Sequence, residues 1–207
     1  MRTSARAVLA TISIVLGVSL ASGVAHAQTL AGDALLKALR QGGYVIVMRH
    51  ASSPRQVPDK QAANIDNVNL ERQLDEAGRA SAVAMGNALR DLRIPVGEVL
   101  TSPTYRALET VRLAKLPNPK PIPELGDGGQ SMQGVTGGPS AWLQKRVTAF
   151  PAGTITILVT HMPNISAAFP ALASGVADGE SLVFGTDGKG AATLVARIKI
   201  EEWPRMK

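Results

Sequence analysis

The sequence contains no cysteine among its 207 residues. Cysteine nucleophiles, zinc sites with thiolate ligands and iron–sulfur clusters held by cysteine are therefore excluded. Disulfide bonds are excluded as well. A chain of this length can bury enough apolar surface to fold without them.

Aromatic residues are also scarce, at 3% of the chain, which leaves few side chains on which nucleic-acid bases could stack. The formal net charge is +6, and the basic residues form no dense cluster. A mildly basic protein attracts small anions, but we expect no nucleic-acid partner.

The N-terminus has the three parts of a secretory signal peptide. Arg2 and Arg6 precede an apolar stretch over 7–21, and small residues end in Ala25-His26-Ala27. The apolar stretch is shorter and more diluted than the roughly 20 apolar residues that span a bilayer. We therefore predict that residues 1–27 are a signal peptide and that the mature protein, residues 28–207, is one domain exported to the periplasm or secreted. No transmembrane segment is expected after cleavage.

Cleavage removes His26, Arg2 and Arg6, which lowers the formal charge from +6 to +4 and leaves two histidines, His50 and His161. Two histidines are too few for a mononuclear site with three histidine ligands. We predict no metal site.

Apolar periodicity predicts an alternation of helices and strands. Helices are expected over 29–40, 74–92, 102–116, 140–149 and 164–174; strands over 44–48, 96–101 and 154–160, with a short one near 120–122 and a hairpin of 182–185 with 191–200. This order predicts an α/β fold, a three-layer α/β/α sandwich with a mostly parallel central sheet and a C-terminal antiparallel hairpin.

Polar residues follow three of the predicted strands. Arg49 and His50 follow the first, the segment from Ser102 to Arg106 follows the second, and His161 follows the third. Ligands bind beyond the carboxyl ends of the strands in such sheets. Guanidinium groups pair with phosphate oxygens in bidentate fashion, and an imidazole nitrogen can attack phosphorus. The pattern therefore favours a site for a tetrahedral phosphate dianion.

Three blocks then resemble the histidine phosphatase (phosphoglycerate mutase-like) superfamily, in order and in spacing: Val47-Met-Arg-His-Ala51, Leu100-Thr-Ser-Pro-Thr-Tyr-Arg-Ala-Leu-Glu-Thr110 and Leu158-Val-Thr-His-Met-Pro-Asn164. The segments Asn69-Leu70 and Gly78-Arg79 are similar to the family's segment before its second helix. The resemblance covers nearly all of residues 28–207, which it identifies as a histidine phosphatase domain.

The resemblance implies a phosphomonoester hydrolase. His50 would attack phosphorus and become phosphohistidine, while Arg49, Arg106 and His161 would bind the phosphoryl oxygens. Water would then release phosphate. No metal or organic cofactor is implied.

The proton donor for the leaving group stays open between carboxylates. One branch of the family has a Leu-x-Glu setting after the second block, and the corresponding Glu124-Leu-Gly-Asp127 makes Asp127 a candidate and Glu124 a poorer one. Another branch has Asp directly after the second histidine, where this chain has Met162. Glu180 resembles a glutamate of exported members and is narrowly favoured over Asp127.

The remaining expectations concern partners. A non-catalytic binder of phosphorylated glycan or lipid could use the same anion pocket, but it would have no need of a nucleophilic histidine. The expected substrate is a small-molecule or glycan phosphate ester, with a cell-envelope lipopolysaccharide sugar ranked first. Two polar segments, 51–70 and 124–139, are the expected specificity loops. The sequence does not determine the oligomeric state.

Overall fold

A computed structural model of the chain describes residues 29–54, 68–127 and 138–207. The predicted signal peptide, residues 1–27, lies outside the described residues. Much of the two expected specificity loops, 55–67 and 128–137, lies outside them as well.

The described residues form one six-stranded mixed sheet with five α-helices. The helices are α1 (Gly32–Gln41), α2 (Glu76–Asp91), α3 (Tyr105–Leu113), α4 (Pro139–Arg146) and α5 (Met162–Ala168); the strands are β1 (Tyr44–Arg49), β2 (Val96–Thr101), β3 (Lys120–Pro121), β4 (Ile155–Thr160), β5 (Ser181–Thr186) and β6 (Ala192–Ile198). Short 3₁₀ helices lie at Val68–Leu70, Pro123–Leu125 and Trp203–Arg205.

The strand order is β3-β2-β4-β1-β5-β6. The first four strands pair in parallel, and β5 and β6 pair antiparallel with each other, with β5 also antiparallel to β1. This confirms the prediction of a mostly parallel sheet that ends in an antiparallel hairpin. The hairpin turn contains Asp187, whose Oδ1 accepts hydrogen bonds from the backbone N–H groups of Lys189 and Ala191.

Helices cover both faces of the sheet, because alternate residues of the central strands point to opposite sides. On β1, Ile46 and Met48 pack with the apolar faces of α1, α2 and α3, whereas Val45 and Val47 pack with α4 and α5. The three layers predicted from the sequence are therefore present.

Two of the predicted helix boundaries near the site were wrong. Helix α3 begins at Tyr105, with Thr104 rather than Ser102 in the N-cap position. Helix α5 covers Met162–Ala168 instead of 164–174, so Asn164 is its third residue and does not cap it. Pro163 lies in the first turn of α5, a position that proline favours because it needs no N–H partner there.

One glycine brings α2 close to the loop after β1. A Cβ atom at Gly78 would lie 2.1 Å from the carbonyl oxygen of Ser52, far inside van der Waals contact. The N-cap residue Asp75 accepts hydrogen bonds from the backbone N–H of Gly78 and from the hydroxyl of Ser52. Helix α2 is thereby anchored directly beside the segment that follows His50.

No helix in the described part of the chain has the length and apolar character needed to span a membrane.

Candidate active site

Parallel pairing brings the ends of three strands to one edge of the sheet. Strand β4 lies between β1 and β2, with Arg49 opposite Thr160 and Thr101 opposite Val159. The pairing extends one residue further, since the N–H of His50 donates to the carbonyl of Thr160 at 3.0 Å. The residues that follow these strands must therefore meet at this edge, as the sequence pattern predicted.

His50 is a buried imidazole whose tautomer is determined by its contacts. Its Nδ1 lies 2.7 Å from the carbonyl oxygen of Ala51, which can only accept, so Nδ1 carries the hydrogen. The lone pair of the neutral ring is then on Nε2, which accepts a hydrogen bond from Nε of Arg106 at 3.2 Å.

Burial and the neighbouring Arg106 guanidinium lower the pKa of His50 to about 3. Desolvation is the larger cause, and Arg49 adds to it. His50 is therefore neutral throughout the physiological pH range. A neutral imidazole with an available Nε2 lone pair is the form that can act as a nucleophile.

His161 lies beside His50, with 5.1 Å between the ring centroids. Its Nδ1 is 3.0 Å from Nη2 of Arg106, and its Nε2 is 2.8 Å from the hydroxyl of Ser102 and 3.2 Å from that of Thr104. Arginine can only donate, so Nδ1 of His161 accepts and its hydrogen lies on Nε2. Two hydroxyl groups that the sequence interpretation had not singled out thus orient the second histidine.

Arg106 connects the parts of the site, and only 3% of it is exposed. Besides contacting both histidines, its Nη2 lies 2.6 Å from Oδ2 of Asp127 in an ion pair. Arg106 is the second residue of α3, where backbone N–H groups add positive potential. The structure thus brings together four of the predicted site residues: His50, Arg106, His161 and Asp127.

Arg49 occupies the same sheet edge and is also held by the protein. Its Nη1 donates to the carbonyl of Val176 at 3.0 Å, and its Nη2 forms an ion pair with Asp178. Arg72, which the sequence interpretation missed, donates to the carbonyls of Ser53 and Pro54. Its pKa is lowered by burial and by Arg106. Three guanidinium groups therefore contribute positive charge to the site.

The structure speaks against Glu180, the carboxylate that the sequence interpretation narrowly favoured as proton donor. Oε1 accepts from Nε of Arg197 at 2.6 Å, and Oε2 accepts from the backbone N–H of Ala177 at 2.8 Å. Although burial opposes it, these hydrogen bonds lower the pKa of Glu180. Both oxygens of Glu180 are thus engaged by Arg197 and Ala177, whereas the carboxylate of Asp127 contacts Arg106 of the site directly.

A buried carboxyl group that the sequence interpretation missed is Glu71. It is 3% exposed, and its Oε2 lies 3.4 Å from the backbone N–H of Tyr105 at the start of α3. Burial raises the pKa of Glu71, opposed in part by Arg106 and reinforced by Asp127. Glu71 directly follows Asn69-Leu70, the segment that is similar to the histidine phosphatase family, and this position was the one signal for it. Nothing in the sequence pattern indicated that its carboxyl group is buried.

Two side chains near the site have other partners. The carboxylate of Glu109 pairs with Arg112 at 2.6 Å. The amide group of Asn164 donates to the carbonyl of Gly126 at 2.6 Å. Glu124, the poorer of the acid candidates, is half-buried and presents its backbone carbonyl to Asn164 at 3.4 Å.

The arrangement is suited to a tetrahedral dianion next to a nucleophile. Guanidinium groups and the N-terminus of α3 supply positive charge, and the lone pair of His50 lies among them. Within the described ranges, no group of three or more potential metal-ligating side chains is present.

Comparison with known proteins gives a family match over the first two sequence blocks. Residues 45–127 match the model of the histidine phosphatase superfamily (branch 1). No curated protein matches this sequence at a significant level.

Solved structures share the fold at low identity. The protein histidine phosphatase SixA complexed with tungstate has a TM-score of 0.55 and 19% identity, covering 77% of this chain and 98% of that one. Bacillus stearothermophilus YhfR has a TM-score of 0.53 and 15% identity, with 73% and 94% covered. A phosphoserine phosphatase variant from Entamoeba histolytica, in complex with phosphoserine, has a TM-score of 0.50 and 12% identity, with 76% and 98% covered.

Proposed function

We propose that this chain is a phosphatase of the histidine phosphatase superfamily, whose model matches residues 45–127, and that it hydrolyses phosphomonoesters through a phosphohistidine formed at Nε2 of His50. The observation that carries the proposal is the protonation state and tautomer of the His50 imidazole. His50 is neutral, its hydrogen is fixed on Nδ1 by Ala51, and its Nε2 lone pair lies 3.2 Å from Nε of Arg106.

In the first step, the Nε2 lone pair attacks phosphorus, a P–N bond forms and the P–O bond to the leaving group breaks. The ring becomes cationic, and its Nδ1–H donates more strongly to the Ala51 carbonyl. Arg49, Arg106 and His161 bind the phosphoryl oxygens, and the fixed positive charge of the two guanidinium groups stabilises the transition state.

The leaving oxygen requires a proton, and Asp127 is the predicted acid that lies nearest the phosphate-binding Arg106. A dianion at Arg106 would stand beside the Asp127 carboxylate, and like-charge repulsion favours a proton between them. Asp127 gives this proton to the leaving oxygen. It then takes a proton from water, which attacks phosphorus; the P–N bond breaks, and its electron pair returns to Nε2 of His50.

The test compares the wild-type protein with His50→Ala and with a matched surface variant, Asn87→Ala. Asn87 is exposed on α2. We expect His50-dependent release of phosphate from para-nitrophenyl phosphate and an acid-labile phospho-adduct of one phosphate per chain, both absent in His50→Ala. If wild type and His50→Ala released phosphate at equal rates, the proposal would be wrong. Tight phosphate binding without turnover would favour the non-catalytic binder instead.

For the substrate, we infer an exported phosphate ester, with a cell-envelope lipopolysaccharide sugar phosphate as the first candidate. The N-terminal pattern of residues 1–27 supports export, and a phosphate ester fits the three guanidinium groups of the site. Fractionation of cells that produce the full chain should recover activity outside the cytoplasm. A panel of sugar phosphates, phosphoserine and phosphohistidine should then rank the substrates by kcat/KM.

A further inference from the structure

We propose that Asn164 is a positioning residue that holds Asp127 against Arg106. The inference rests on the proposed function, because it concerns the acid of that reaction. The amide group of Asn164 acts through the backbone of the segment that leads to Asp127.

The amide nitrogen of Asn164 is surrounded by acceptors. Nδ2 lies 2.6 Å from the carbonyl oxygen of Gly126, 2.9 Å from Oγ1 of Thr160 and 3.4 Å from the carbonyl oxygen of Glu124. Two of these partners are carbonyl oxygens, which can only accept, so the NH₂ group must point at them. The orientation of the amide is therefore determined by its contacts.

Thr160 completes the contact with this segment. Its hydroxyl accepts from Asn164 and donates to the carbonyl of Leu125 at 2.8 Å. Leu125 is fully buried, and the N–H of Gly126 donates to the carbonyl of Pro123. Consecutive carbonyls directly before Asp127 are thus fixed by side chains of the β4–α5 junction.

Peptide geometry carries this constraint to Asp127. The carbonyl of Gly126 and the N–H of Asp127 belong to one planar peptide group. When Asn164 fixes the direction of that carbonyl, it also fixes where the Cα atom of Asp127 lies. The Asp127 carboxylate then reaches Nη2 of Arg106 at 2.6 Å.

The same junction also carries His161. Thr160 ends β4, His161 follows it, and the backbone N–H of Asn164 donates to the carbonyl of His161 at 3.1 Å. One turn of chain therefore orients both a phosphate-binding histidine and the segment that bears the acid. A purely structural role of Asn164 would affect both functions, whereas the proposed role affects the acid.

Two substrates that differ in their leaving group distinguish a purely structural role of Asn164 from its proposed role in positioning Asp127. A para-nitrophenolate leaves readily without a proton, whereas the alkoxide of β-glycerophosphate requires one. For Asp127→Asn we expect a loss of roughly 100-fold in kcat with β-glycerophosphate, the lower end of the usual contribution of an acid. For Asn164→Ala we expect a loss of about 10-fold, a part of that contribution. With para-nitrophenyl phosphate, whose leaving group needs no proton, both variants should lose less in the initial burst of para-nitrophenolate than they lose in kcat with β-glycerophosphate, and Asn87→Ala should match wild type throughout.

A double variant tests whether Asn164 acts through Asp127. If it does, Asn164→Ala should cause no further loss in an Asp127→Asn background, because the group that it positions is already absent. Equal losses with both substrates, or an added loss in the double variant, would overturn the proposal. If Asn164→Ala fails to fold by circular dichroism, Thr160→Val provides the same comparison through the Leu125 carbonyl.

Tungstate binding gives a readout that does not depend on turnover. Asp127 competes for Nη2 of Arg106, so Asp127→Asn should bind tungstate more tightly than wild type. Asn164→Ala should also bind it more tightly, and the double variant no more tightly than Asp127→Asn. Unchanged affinity in Asn164→Ala would overturn the positioning role, whereas absent turnover with the expected affinity changes would overturn the proposed function alone.

Discussion

The low pKa of His50 predicts a specific loss of stability in acid. His50 is 3% exposed, and its pKa is lowered from 6.5 to about 3 by burial and by Arg106. Between these values the unfolded chain binds a proton at this residue and the folded protein does not. The contribution of the neutral His50 to the free energy of unfolding is therefore present in full above pH 6.5, and it is lost as the pH falls towards 3.

The magnitude follows from linkage. Each pH unit inside this window changes the free energy of unfolding by about 1.4 kcal/mol, so lowering the pH from 7 to 4.5 removes roughly 2.5 kcal/mol. His50→Asn is the matched variant. It does not titrate, and its amide can still donate to the Ala51 carbonyl that Nδ1 of His50 contacts at 2.7 Å.

Urea unfolding, followed by the fluorescence of the buried Trp203, measures both proteins in phosphate-free buffers from pH 7 to pH 4.5. Oxyanions must be left out because binding to the native state would add its own stability. We expect the wild type to lose about 2.5 kcal/mol relative to His50→Asn over this range. Asn87→Ala should differ from wild type by the same amount at every pH. Parallel curves for wild type and His50→Asn would refute the reasoning, since they would mean that the pKa of His50 is the same in both states.

Three further variants test particular contacts. Gly78→Ala places Cβ 2.1 Å from the Ser52 carbonyl and should lower the free energy of unfolding by about 2 kcal/mol in urea, although alanine is the better helix former; equal or greater stability would contradict the close approach. Burial raises the pKa of Glu71, so wild type should lose stability relative to Glu71→Gln as the pH rises above 4.5, which thermal unfolding at pH 4.5 and 7.5 will show; an opposite trend would contradict it. Glu180→Gln should leave the ratio of kcat values for β-glycerophosphate and para-nitrophenyl phosphate unchanged, because Arg197 holds its carboxylate; a selective loss with β-glycerophosphate would make Glu180 the acid.

The fold could be predicted because its strands are short, continuous apolar runs bounded by glycine or proline. Val45 to Met48 is buried on both faces, as a central parallel strand must be, and helices of clear periodicity separate the runs. Parallel pairing then requires the strand ends to meet. For this reason His50, Arg106 and His161 could be placed at one edge from the sequence alone.

The choice of partner for each charged side chain could not be predicted in the same way. Glu109 is equally spaced along α3 from Arg106 and Arg112, and only the packing of Arg106 into the site leaves Arg112 as its partner. The sequence made both Glu180 and Asp127 candidates for the acid. What distinguishes them is that Arg197 binds the carboxylate of Glu180 across the β5–β6 hairpin, a contact that separation in sequence does not reveal.

Two carboxylates of the site keep two of its arginines in a fixed, preorganised position before a phosphate binds. Asp127 holds Arg106 and Asp178 holds Arg49, and both guanidinium groups are largely buried. A buried guanidinium without an anion would be strongly unfavourable, and a mobile one would lose catalytic precision. Since the phosphoryl group must compete with Asp127 for Arg106, the ion pair weakens the binding of substrate and product alike. The same competition brings the Asp127 carboxyl to the reacting group, so preorganisation of the arginine and delivery of the proton depend on one contact.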